Sequence, residues 1–92
     1  YPPRAVESEI VRAESGIEPA AADKLSEIAA RLRKLEELGL AETVSTRLLI
    51  HAAQLMQSGL SPRHACQAAI THPLTDDEDV KRSINDLIAL IF

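Results

Sequence analysis

The chain has 92 residues and a mass of 10.0 kDa, which leaves room for one small domain and excludes a second hydrophobic core. With 46% hydrophobic and 26% charged residues, one Tyr, one Phe and no Trp, the chain can bury a core of Ala, Leu and Ile, which argues against an all-β domain. The net charge of −4 argues against the broad positive surface that nonspecific nucleic-acid binding requires.

Proline and glycine divide the chain into five predicted helices. The first spans residues 3–14, because prolines suit a first turn and Gly16 suits an end. Its predicted buried side carries Val6, Ile10 and Val11. The second opens near Pro19 and should end at Gly39, which can adopt the left-handed conformation. Apolar spacings of 3, 4 and 3 predict one amphipathic stripe that buries Leu25, Ile28, Leu32 and Leu35.

The third predicted helix begins at Ser45 or Thr46, whose hydroxyls can accept hydrogen bonds from unpaired backbone N–H groups. It should end at Gly59, which follows the last residue of its apolar pattern. The side chains predicted to face inward are Leu48, Leu49, Ala52, Leu55 and Met56.

The fourth predicted helix is short and rich in alanine. Ser61 suits the N-cap and Pro62 suits the first helical position. We expect this helix to run to His72 and to stop there, because Pro73 cannot continue it.

The last predicted helix begins after Thr75, which forms a capping box with Glu78 three residues later. The neighbouring aspartates could suggest a cation site, but acids at a helix start are commonly there for the cap and the helix dipole. Its predicted buried side carries Val80, Ile84, Leu87, Ile88 and Ile91. Short connections between five modest helices predict a small all-α bundle of antiparallel neighbours with one irregular crossing.

Cys66 is the single cysteine, so an internal disulfide is excluded and a reducing, cytoplasmic location is expected. No run approaches the roughly 18 apolar residues of a membrane span, and residues 1–4 lack the hydrophobic block of a signal peptide. We therefore expect no membrane interaction. The chain begins without Met, in a Tyr-Pro-Pro sequence that predicts a fragment of a longer protein.

Sites for self-contained catalysis are missing from the sequence. It has no Gly-rich phosphate loop, no Cys-x-x-Cys and no His-Glu-x-x-His. The spacings of His51, His64, His72 and Cys66 place no two of them on one helical face in a usual zinc pattern, so no metal site is expected. The Ala-rich surroundings of Cys66 predict a small core position rather than a nucleophile.

One constellation remains, at the predicted start of the third helix. Residues 43–75 carry two arginines, three histidines and no acid, so an anion would meet no carboxylate from this segment. Within it, Val44-Ser45-Thr46-Arg47 combines exposed N–H groups, the helix dipole and a guanidinium in the first turn. The pattern is typical of an anion site, although many helices begin this way only for capping and solubility.

Three motifs carry a resemblance to a known family: Val-Ser-Thr-Arg at 44–47, Ser-Gly-Leu-Ser-Pro-Arg at 58–63 and Pro-Leu-Thr-Asp-Asp at 73–77. In combination they resemble the C-terminal part of the CbbQ/NirQ/NorQ group of MoxR-type AAA+ ATPases. The opening residues 1–17 resemble the segment of that family in which a Tyr-Pro leads into the first lid helix. The similarity covers essentially the whole chain.

The resemblance implies that residues 1–92 form a single helical lid, the C-terminal fragment of a longer ATPase, which closes over ATP and Mg²⁺ held mainly by a separate core subdomain. Arg47 matches the sensor-2 arginine and in that role would contact the terminal phosphates. Ser45 and Thr46 are further candidates to bind the nucleotide. Ile10 and Val44 are candidates to contact the base, as are Val11 and Leu48, although core packing is the alternative for all four. Because the Walker segments, the sensor-1 residue and the arginine finger are missing, this chain alone should not hydrolyse ATP.

The resemblance also implies partners: the core subdomain of the same protein, neighbouring subunits of a ring, expected to be a hexamer, and a protein with a von Willebrand A domain. Client enzymes in the family are Rubisco and nitric oxide or nitrite reductase. The chain itself does not select among these clients.

Two alternatives come from other classes of protein. Residues 55–69 have the outline of a DNA-binding helix-turn-helix, but a recognition helix with one arginine on a protein of net charge −4 would neutralise too few phosphates. The other is a plain helical interaction module, dimeric through the apolar end formed by Ile88, Leu90, Ile91 and Phe92.

Overall fold

A computed structural model of the chain describes residues 2–35 and 44–92. In these two ranges the chain forms five helices and no strand, which confirms the predicted small all-α bundle. The helices are α1 Arg4–Ser15, α2 Pro19–Lys34, α3 Thr46–Gln57, α4, made of the consecutive stretches Pro62–Cys66, Gln67–Thr71 and His72–Leu74, and α5 Glu78–Ile91. No helix in this part of the chain combines the length and apolar character needed to span a bilayer.

Gly16 ends α1 as predicted. Its φ of 77° lies in the left-handed region, and its N–H donates to the carbonyl of Arg12, which is the usual way for a glycine to terminate a helix. The chain therefore turns at once into α2, which begins at Pro19 and packs along α1. The predicted end of α2 at Gly39 lies outside the described residues, as does Tyr1 of the opening motif.

Serine caps begin the next two helices. Ser45 precedes α3 and its Oγ accepts a hydrogen bond from the N–H of Leu48; Ser61 precedes α4 and accepts from the N–H of His64 in the same way. Both caps were predicted, and they satisfy N–H groups that have no partner within the helix.

The prediction that Pro73 stops α4 is wrong. The helix is α-helical over Pro62–Cys66, π-helical over Gln67–Thr71 and α-helical again over His72–Leu74. In the π-helical turn the N–H of His72 donates to the carbonyl of Gln67. A widened turn immediately before proline relieves the clash that its ring makes with a preceding carbonyl, so the helix continues to Leu74.

The predicted capping box of α5 is also wrong. The N-cap is Asp77, whose Oδ1 accepts from the N–H groups of Asp79 and Val80 at 2.9 and 3.1 Å. Thr75 instead accepts from the N–H of Asp77. An aspartate is as good a cap as threonine and stands two residues closer to the helix, so it takes the position.

The core lies where α1, α2 and α3 meet and continues through α4 to α5. The largest fully buried apolar side chains are Val11, Leu25, Ile28, Leu32, Val44, Leu49, Ile70, Leu74 and Ile88. Two predicted core residues are exposed instead: Val6 at 49% and Leu35 at 38%. Leu35 is the C-cap of α2 rather than part of the helix, and the buried side of α1 carries Glu7 and Val11, one turn apart, instead of Val6.

The apolar C-terminus is only partly exposed. Ile88 is fully buried in the core, while Leu90 is 78% exposed. The Phe92 ring lies beneath the Lys24 ammonium, whose Nζ is 5.5 Å from the ring centroid. The Lys24 cation over this aromatic face covers part of the apolar end. Dimerisation through this end stays a prediction.

Candidate functional site

Arg47 is the second residue of α3 and is exposed. The described residues form no ion pair with it. His51 and Gln54 follow at helical spacings on the exposed side of α3, and this side carries no acid. The guanidinium, the dipole of a 12-residue helix and the N–H groups of its first turn therefore favour an anion at this end.

A buried ion pair lies behind the start of α3. Glu7 of α1 is 1% exposed, and Arg33 of α2 donates to both of its oxygens: Nη1 to Oε1 at 2.9 Å and Nη2 to Oε2 at 2.6 Å. The hydroxyl of Thr46, the first residue of α3, donates to Oε2 at 2.7 Å. The forked, bidentate geometry is the strongest form of a carboxylate–guanidinium contact. We call Glu7, Arg33 and Thr46 the buried clamp.

The same arginine also holds the backbone that leads into α3. Its Nε and Nη2 donate to the carbonyl of Val44 at 3.0 and 2.8 Å. The clamp thus binds the chain on both sides of Ser45, through the carbonyl of Val44 and the hydroxyl of Thr46. Since Arg47 follows directly, its main chain is anchored to α1 and α2.

Glu7 is held in its charged form. Burial by itself would raise the pKa of its carboxyl, but the hydrogen bonds from Arg33 and Thr46, together with the charge of Arg33, act in the opposite direction and outweigh it. The pKa therefore lies below its ordinary value of 4.5. The clamp is a carboxylate–guanidinium pair at neutral pH.

The other predicted nucleotide contacts have different surroundings. Val44 is 1% exposed and packs in the core, and the hydroxyl of Thr46 donates its hydrogen bond to Glu7. The Oγ of Ser45 caps α3, and Ile10 is partly exposed on α1, which packs against α3. Val44, Ser45 and Thr46 are consecutive with Arg47 in sequence, and Ile10 lies on the helix packed against α3. Their binding of nucleotide stays a prediction.

Sequence reasoning missed Glu7 and Arg33. One signal was present: Glu7 lies four residues before the buried Val11 and so occupies the inward face of α1. A carboxylate on the apolar face of a helix loses its hydration, so it requires a basic partner. Arg33 stands 26 residues away, on a helix with several other basic residues, so no local spacing points to it.

Cys66 is a fully buried core residue, as predicted, and burial raises the pKa of its thiol to about 12. Because the thiolate is the reactive form, we expect iodoacetamide at about pH 8 to leave Cys66 largely unmodified in the folded chain and to alkylate it fully in guanidinium chloride. Mass spectrometry after timed quenching measures both. Equal rates in the two conditions would contradict the buried position. The described residues also contain no group of three or more His, Cys, Asp or Glu that could hold a metal ion.

Comparison with known proteins assigns the chain. The family model CbbQ/NirQ/NorQ C-terminal matches residues 7–91. The chain is 45% identical to Protein CbbQ of Hydrogenophilus thermoluteolus, 44% to Protein NorQ of Paracoccus denitrificans and 39% to Denitrification regulatory protein NirQ of Stutzerimonas stutzeri, each over all 92 residues. It spans 34% of the length of each of these relatives. With the family model matching nearly the whole chain, and an all-α fold, this chain belongs to the CbbQ/NirQ/NorQ C-terminal family.

Proposed function

We propose that this chain is the helical lid of a MoxR-type AAA+ ATPase and that Arg47 contacts the terminal phosphates of ATP. The observation that carries the proposal is an exposed arginine at an anchored helix start, in a chain of this family. Residues 44–75 contain no acid. An anion at this end of α3 therefore meets no carboxylate from its own segment, and the charge of the nearby Glu7 is paired with Arg33.

The chemistry follows from the guanidinium. It is permanently charged, and its planar fork matches two phosphate oxygens at once. Bound ATP, with Mg²⁺, supplies the phosphoanhydride bond that is cleaved. Arg47 stabilises the negative charge on the departing phosphoryl group, and the buried clamp keeps the arginine in place without reorganisation. Loss of the phosphoryl group removes the partner of Arg47, which releases the lid and rotates it.

The remaining parts of the proposal concern the whole protein. We infer a core subdomain that binds most of the nucleotide, a ring of subunits, hexameric by family resemblance, and a partner with a von Willebrand A domain. We also infer a cytoplasmic location for the whole protein. The name of one relative, Denitrification regulatory protein NirQ, supports a regulatory role toward an enzyme. The client would be of the Rubisco or nitric oxide or nitrite reductase type.

The test is Arg47→Ala in the intact protein that carries this chain. We expect ATP turnover to fall at least about tenfold, because a charge-assisted contact to the reacting phosphate is lost. Steady-state phosphate release measures turnover, and far-UV circular dichroism should show unchanged helical content.

Arg63→Ala is the matched control. Arg63 is also exposed and is also the second residue of a helix that a serine caps, but it stands at the start of α4. The ATP turnover of the Arg63→Ala variant should equal that of the wild type. Wild-type turnover in Arg47→Ala, or an equal loss in both variants, would refute the assigned role.

A further inference from the structure

We propose that Glu7 and Arg33 are positioning residues for Arg47, acting through the buried clamp. The inference rests on the proposed function of Arg47. Neither side chain is accessible enough to bind a ligand directly: Glu7 is 1% exposed and the side chain of Arg33 is 16% exposed. Their effect on a nucleotide must therefore pass through the segment that they hold.

The energetic cost of the clamp indicates a specific use. A buried ion pair is often no more stabilising than a well-packed apolar pair, because both charges lose their hydration. Here the cost is offset by hydrogen bonds: the carboxylate of Glu7 accepts three, from Arg33 twice and from Thr46 once. No buried side-chain nitrogen or oxygen of the described residues lacks a partner. An apolar contact could supply equal stability but not this directional hold.

The geometry leaves the start of α3 little freedom. Nη1 and Nη2 of Arg33 bind the carboxylate, while Nε and Nη2 bind the carbonyl of Val44. Rotation of the first turn would break the bond from Thr46 to Glu7, and a shift along the helix axis would break the bonds to Val44. Because displacement of a catalytic group by about 1 Å can reduce a rate about a hundredfold, such a hold matters for Arg47.

The experiment is a double-mutant cycle in the intact protein, with Glu7→Gln, Arg47→Ala and both together. We expect Glu7→Gln to lower kcat/KM for ATP about tenfold and to raise KM, as misplacement of a phosphate-binding group does. In the Arg47→Ala background the same change should cause no further loss, since residues that act through one another are not additive.

Two competing explanations predict a different change in the KM of Glu7→Gln. Removing a carboxylate near an anion site should, by charge alone, tighten binding of ATP and lower KM. Partial unfolding reduces the amount of active protein, which lowers kcat and leaves KM unchanged. A lowered or unchanged KM in Glu7→Gln overturns the inference, and so does a loss that multiplies with that of Arg47→Ala.

A milder variant covers the case in which Glu7→Gln does not fold. Thr46→Val removes one hydrogen bond to Glu7 and keeps the ion pair, and should show a smaller rise of KM that again disappears beside Arg47→Ala. Glu9→Gln, which alters an exposed pair with Arg12 on the same helix, is the control and should match the wild type. If Arg47→Ala alone has wild-type turnover, the proposed function fails together with the inference; if only the non-additivity is missing, the proposed function stands.

Discussion

Glu7→Ala is expected to lower the free energy of unfolding of this chain by about 3 to 5 kcal/mol, because it removes the carboxylate from a largely buried ion pair and with it both hydrogen bonds that Arg33 donates to Glu7. Thr46 and the start of α3 lose an anchor as well. Urea denaturation followed by far-UV circular dichroism measures the change.

Glu9→Ala is the control, since Glu9 lies on the same helix and pairs with Arg12 at the surface. Exposed pairs contribute little because water and salt screen them, so the unfolding midpoint should stay near that of the wild type. Similar midpoints for Glu7→Ala and Glu9→Ala would show that the clamp does not stabilise the fold.

The effect of Glu7→Ala should also depend on pH. The pKa of Glu7 is lower in the folded chain than its ordinary value of 4.5, so the contribution of its charge is fully present above that ordinary value. It is lost as the pH falls through the folded pKa, because the carboxyl then takes up a proton that weakens the pair. The difference in stability between wild type and variant should therefore shrink below about pH 4.5. A constant difference down to strong acid would contradict this assignment.

Leu49→Ala is expected to destabilise the chain by about 2 to 5 kcal/mol, through lost apolar burial and the cavity left behind. Leu49 is fully buried on α3, a helix that packs against α1, α2 and α4. Truncation of its side chain should therefore weaken packing between several helices. The same urea denaturation gives its size.

Leu90→Ala is the matched control for this change. Leu90 lies in the last turn of α5 and is 78% exposed, so the same substitution should alter stability by no more than about 0.5 kcal/mol. A large loss at Leu90, or a small one at Leu49, would contradict the placement of the core.

Much of the fold could be predicted because its signals are local. Ser45 and Ser61 cap the helices that they were predicted to cap, and Gly16 ends α1 with a positive φ. Each of these depends on hydrogen bonds within a few residues. The errors at Pro73 and Thr75 are local as well, but there two local solutions compete: a π-helical turn accommodates the proline, and Asp77 displaces the expected cap.

The candidate site likewise has one part that local sequence predicts and one part that it does not. Arg47 could be proposed from its position after Ser45 and Thr46 in an acid-free segment, and from resemblance to a family whose model matches residues 7–91. The buried clamp could not be predicted from the sequence, because Glu7 and Arg33 are 26 residues apart and the clamp joins three helices.

The sequence by itself thus determined the helical class, most helix starts and the candidate arginine, since these depend on the 3.6-residue period and on caps. Only the tertiary structure decided which face of α1 is buried, that a carboxylate lies on it, and which of several arginines neutralises that charge. The physical reason is that pairing of buried charges depends on which helices pack together, a property that no stretch of neighbouring residues contains.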